Sequence, residues 1–100
     1  HRPLGLKLRK ADETGAKQFG VSVSEGLMIW EIEDGSLAER IAGNTLEPGI
    51  IITAVNYQPV RETFDFARIY READLSRGMM IQYLDGQGNR GFVILSDQDL

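Results

Sequence analysis

The most constraining stretch of the chain runs from Gly26 to Val60. Leu27 to Ile32 is an apolar, β-branched and aromatic run, the composition of a strand buried on most of its surface. Asp34-Gly35-Ser36 then turns the chain, and Ser36 is placed to cap a short helix ending near Ile41. Gly43 suits a left-handed residue just past that helix. Pro48-Gly49 predicts a tight turn and Ile50 to Val55 a second buried strand. Asn56 tolerates positive φ and opens the next turn, Asn56-Tyr57-Gln58-Pro59.

Bulk properties bound the rest. One hundred residues suffice for one hydrophobic core and not for two, so residues 1–100 read as a single domain. With 42% hydrophobic and 26% charged residues, the chain has an ordinary globular composition. The net charge of −4, with acids and bases interleaved, argues against a nucleic-acid or anionic-membrane surface, which needs a basic stripe. Zero cysteines leave the redox compartment open. No apolar run reaches the length of a bilayer-spanning helix, and no signal-peptide pattern appears. The abrupt start at His1 suggests a domain excised from a longer protein.

Ahead of the central block, Leu4-Gly5-Leu6 leads into Leu6-Lys7-Leu8-Arg9-Lys10, which alternates apolar and basic residues as a strand with one buried face. Asp12 to Phe19 reads as a short helix with acids first, Lys17 late and Gly20 as its stop, and Gly15 sits in its middle at some cost. Val21-Ser22-Val23 alternates as a short strand. After the block, Arg61 to Ala73 is the main helix. Thr63 is its cap or first-turn residue, and Phe66, Ile69, Tyr70 and Ala73 face the sheet. Met79 to Leu84 and Gly91 to Leu95 form a hairpin across Asp85-Gly86-Gln87-Gly88-Asn89. Residues 96–100 are expected to fray.

The order strand, turn, short helix, Pro-Gly turn, strand and Asn turn resembles the middle of a PDZ domain. Three positions depart from that pattern: Leu37 stands where Pro is common, Ile50 where Asp is common and Tyr57 where Gly is common. With Leu4-Gly5-Leu6 at the start and a short acidic helix ending in Phe19-Gly20-Val21, nearly the whole chain is similar to the PDZ domains of bacterial Deg/HtrA serine proteases. The resemblance implies an α+β fold, a partly open β-barrel or sandwich of five or six strands with two main helices and one short helix.

Peptide binding by strand addition follows from the same resemblance. A C-terminal or unfolded segment would add beside Leu6–Lys10, along Leu6, Lys7 and Leu8, with its last apolar side chain in a pocket lined by Leu4, Leu6 and helix residues and its carboxylate at the N–H groups of the Leu4-Gly5-Leu6 loop. Thr63, Ala67 and Tyr70, one helical stripe, would form the far wall. PDZ domains that select Ser or Thr two residues from the ligand's end commonly carry His where Thr63 stands, so an apolar preference is expected there. The implied partners are peptides or unfolded C-termini, with the parent's protease domain and neighbouring subunits beyond. The implied location is the periplasm or cell envelope. Alternatives are a PDZ domain of an intramembrane metalloprotease, or an assembly domain whose groove is closed by Tyr70 and Phe64.

Catalysis within the chain is not expected. The sole histidine is His1, no serine occupies a nucleophile elbow, and paired histidines and cysteines for zinc are missing. No cofactor is implied. Asp85 to Asn89 lacks the alternating acids and closing Glu of a calcium loop, and hairpin chemistry accounts for it. Glu31, Glu33 and Asp34 fit an exposed strand end, and Trp30, Met28, Met79 and Met80 fit core packing.

Overall fold

In the computed structural model, residues 4–21 and 25–99 are described. The elements are β1 (Leu6–Lys10), α1 (Glu13–Phe19), β2 (Leu27–Ile32), α2 (Leu37–Ala42), β3 (Ile51–Val55), β4 (Gln58–Pro59), α3 (Thr63–Glu72), β5 (Met79–Leu84) and β6 (Arg90–Leu95). They build one antiparallel sheet in the order β1-β2-β3-β5-β6, with β4 paired to β3. The α+β class and the open, six-stranded sheet with three helices agree with the sequence reading. Ser22 and Val23, read as strand, lie outside the described residues.

β2 is covered on both faces. Leu27 and Ile29 enter the main core with Leu37, Ile52, Val55, Phe66, Ile69, Met79, Ile81 and Leu95. Met28 faces the other way, against Ala16 of α1 and Ile51 of β3, with Phe19 and Trp30 at the margin. Gly15 explains itself here. A Cβ on it would come within 2.8 Å of Met28 Sδ and 3.3 Å of Trp30 Cζ2, so glycine lets α1 lie close on the sheet. Asp12 caps that helix by accepting from the Gly15 N–H at 2.8 Å.

A bulge sets the phase of β2. Lys7 pairs with Glu31 but Leu8 pairs with Ile29, leaving Trp30 as the extra residue. Ile29 and Ile32 are three apart, yet both pack on the main core. In a regular strand they would face opposite sides.

Several local readings need correction. Gly43 has φ −64°, not the left-handed value expected, because the chain continues right-handed and Leu46 N–H closes on Ala42 O at 2.8 Å. α3 begins at Thr63 rather than Arg61, and its cap position is Glu62. Asp65 accepts from the N–H groups of both Arg61 and Glu62, at 3.1 and 3.0 Å, which holds those residues outside the helix. The expected fraying tail forms a 3₁₀ turn over Asp97–Asp99, tied by Asp97 N–H to Leu75 O. The turn from Asp85 to Asn89 is a hairpin loop closed by the Asp85 carboxylate, which accepts from Gln87 and Asn89 N–H.

The departures from the family pattern have separate causes. Leu37 and Ile50 are buried in the main core and fill it. Tyr57 follows Asn56 into positive φ (64° and 49°) at the β3–β4 turn, while its side chain is 75% exposed. A non-glycine residue there stores roughly 1–2 kcal/mol of strain. Tyr57→Gly should therefore stabilise the domain by about 1 kcal/mol in denaturant unfolding, net of glycine's extra unfolded-state entropy.

Candidate functional site

The Leu4-Gly5-Leu6 loop is held by its carbonyls. Leu4 O accepts from Ala38 N–H of α2 and Gly5 O from Glu33 N–H, both at 2.9 Å. All peptide bonds are trans among the described residues, so the N–H following each carbonyl points the opposite way. The Gly5 and Leu6 N–H groups are therefore aimed away from α2 and β2, as successive donors on one side of a turn. Gly5 has φ 92°, and a Cβ on it would collide with the Ser36 side chain at the start of α2. Glycine is needed twice over.

The same hydrogen bonds fix which β1 groups face outward. Glu33 N–H to Gly5 O places Leu6 and Ile32 in a non-hydrogen-bonded pair, and Ala11 N–H to Gly26 O does so for Lys10 and Leu27. Leu8 follows by alternation. The main-chain N–H and C=O of Leu6, Leu8 and Lys10 thus point away from β2, and β1 is an edge strand. The Leu6 and Leu8 side chains are half-buried against the main core. On the opposite face, Lys7 forms an ion pair with Glu31 at 2.8 Å, and Arg9 lies 4.1 Å above the Trp30 ring.

α3 runs beside this edge. Phe66 and Ile69 anchor it in the core, and Tyr70 packs partly against the core with its ring stacked on Phe66 at 6.4 Å. Thr63 and Ala67 are exposed. Across the gap, Lys10 Nζ reaches Glu62 Oε1 at 2.8 Å, joining the end of β1 to the start of α3. Both partners belong to elements that sequence reasoning placed on either side of the groove, but it did not pair them. The missing signal is understandable, since the two lie 52 residues apart.

Of the sequence-predicted site residues, Gly5, Leu6, Lys7 and Leu8 lie on the loop and edge strand, and Thr63, Ala67 and Tyr70 lie on the neighbouring helix. Leu4 differs from expectation as a pocket wall: its side chain is only 5% exposed and belongs to the core. A cavity of about 260 Å³ lies elsewhere, among Thr53, Gln82, Tyr83, Leu84, Arg90 and Gly91, and no predicted site residue lines it. Among the described residues, no group of three or more His, Cys, Asp and Glu is arranged to hold a metal ion, and no helix is long and apolar enough to cross a membrane.

No family model matches the sequence, and a search of curated proteins finds no match. The structure is nonetheless similar to the HtrA3 PDZ domain bound to a phage-derived ligand (FGRWV). The TM-score is 0.76 at 16% identity, covering 96% of this chain and 84% of that one. The likeness establishes the PDZ fold.

The entry to α3 is sensitive to acid. Hydrogen bonds from Arg61 and then Glu62 N–H hold the Asp65 carboxyl below its ordinary pKa of 3.8. A folded-state pKa lowered in this way adds stability that is complete above 3.8 and disappears as pH falls through the lowered value. Asp65→Asn should lower the melting temperature near neutral pH. The gap from the native domain should close progressively as the pH is taken below 3.8 in a series of thermal melts.

Proposed function

We propose that this domain binds peptides by β-augmentation, taking a C-terminal or unfolded segment as a further strand between β1 and α3. The observation that carries the reading is the phase of β1. The outward main-chain groups of Leu6 and Leu8 are free of β2 and follow directly from the Gly5 and Leu6 donors, on a strand that α3, with its exposed Ala67, contacts. The ligand's main chain would bond to β1 and its carboxylate would meet the two N–H groups. Its last side chain would enter the space between Leu6, Leu8 and Tyr70, with buried Leu4 supporting that pocket from the core side. The similar HtrA3 domain holds a peptide ligand, which supports the same use of the fold here. Such a domain is an accessory module rather than a catalyst. We place it in a Deg/HtrA-type serine protease of the periplasm or cell envelope, where it would deliver substrates, regulate the protease or take part in subunit assembly.

Affinity for a short peptide should be micromolar, about −8 kcal/mol, because ordering the ligand offsets much of the gain. A C-terminal peptide library should return apolar residues at the end and two residues before it. Mainly Ser or Thr at the latter position would rule out the Thr63–Ala67–Tyr70 wall as the selector. Ala67→Glu tests the groove directly. It should cost about 2 kcal/mol or more in binding, from lost apolar contact and a desolvated carboxylate, and leave the melting temperature nearly unchanged at this exposed helical site. Intact folding with undiminished binding would place the ligand elsewhere.

A further inference from the structure

Three residues of β1 offer outward main-chain groups, but the groove does not treat them alike. At Leu6 and Leu8 the side chains lie low against the core. At Lys10 the side chain leaves the strand and crosses to Glu62, so an ion pair bridges the gap that an added strand would occupy. A strand added antiparallel to β1 would set its terminal residue beside Leu6. Its third residue from the end would then lie beside Leu8 and its fifth beside Lys10. Side chains of directly opposed residues share one face and stand close together. The fifth residue would therefore meet the Lys10–Glu62 pair head on, and the third would not.

We propose that the Lys10–Glu62 pair is a clasp that determines ligand length: the groove reads the last three residues of a peptide, and a longer ligand gains its next contacts only by opening the pair. This rests on the peptide-binding reading above. The clasp is weak by construction. Lys10 and Glu62 side chains are 65% and 44% exposed, and exposed pairs are readily opened and screened by salt. It therefore grades ligands and does not bar them.

The test uses the best heptapeptide returned by the library and that peptide's own acetylated terminal tripeptide, titrated calorimetrically at low salt. The quantity read is the tripeptide's dissociation constant divided by the heptapeptide's. In the native domain the heptapeptide should gain little over the tripeptide. In Lys10→Met, which keeps the aliphatic stem, its relative affinity should rise about two- to fivefold while tripeptide binding stays unchanged. The charge-swapped double variant Lys10→Glu with Glu62→Lys, with folding checked by melting, should restore the native ratio. Added salt should raise the ratio in the native domain and not in Lys10→Met. An unchanged ratio in Lys10→Met overturns the clasp. A heptapeptide that binds more weakly to Lys10→Met also overturns it, making Lys10 an ordinary ligand contact. A library that returns no binding peptide overturns the peptide-binding reading itself, a result distinct from either.

Discussion

The structure depends on the burial of β2 from both sides. Leu27, Met28 and Ile29 are consecutive, and none exposes any surface. Each such side chain contributes about 1.5–3 kcal/mol relative to exposure, an upper estimate given a compact unfolded state. Consecutive strand residues point to opposite faces, so this burial needs a layer on each side. The main core with α3 supplies one, and α1 supplies the other. It also needs paired strands along both edges, which β1 and β3 provide. β1 is thereby fixed as a border, with a half-buried inner face and open main-chain groups along its outer edge.

What makes that border usable is phase. The bulge at Trp30 absorbs one residue on β2, so that Ile29 and Ile32 both reach the core while β1 stays regular. Regularity in β1 keeps Leu6, Leu8 and Lys10 in step, with side chains toward α3 and main-chain groups outward. A slip of one residue would turn Lys7 and Arg9 toward the core and bury two charges. The outward phase is thus enforced by the same hydrophobic pattern that folds the domain. Gly5 serves this too: its carbonyl bond to Glu33 starts the ladder, and its missing Cβ lets α2 approach.

Features governed by neighbouring residues were legible in the sequence. The run Leu27 to Ile32, the Ser36 cap, the Asn56 turn and the hairpin loop at Asp85 all depend on bonds spanning a few positions. Features set by distant partners were not. Gly15 looks like a defect in a helix until Met28 and Trp30 are placed against it. Gly43 is a local exception: glycine suits a left-handed cap there, but the competing bond from Leu46 N–H to Ala42 O goes with a right-handed chain. The burial of Leu4 and the pairing of Lys10 with Glu62 arise only once α2 and α3 are folded onto β1. The strand β1 and the helix α3 were readable because each is a local pattern, alternation in one and helical spacing in the other. The link between them was not.

An open edge strand carries a hazard, because its unpaired main-chain groups accept any extended chain, including another copy of itself. In β1 the countermeasure is charge. Lys7, Arg9 and Lys10 are exposed and occupy both faces of a strand only five residues long. Two copies pairing edge to edge would bring these bases together and oppose like charges. The strand nevertheless keeps attractive partners at home, since Glu31 and Glu62 hold Lys7 and Lys10 and raise the pKa of both amines. Those lysines stay charged well above neutral pH, so the protection does not lapse in any ordinary compartment. In the proposed binding mode, a chain ending in a carboxylate would escape the penalty by meeting the Gly5 and Leu6 donors first. The charges themselves bias the edge against sheets of its own kind.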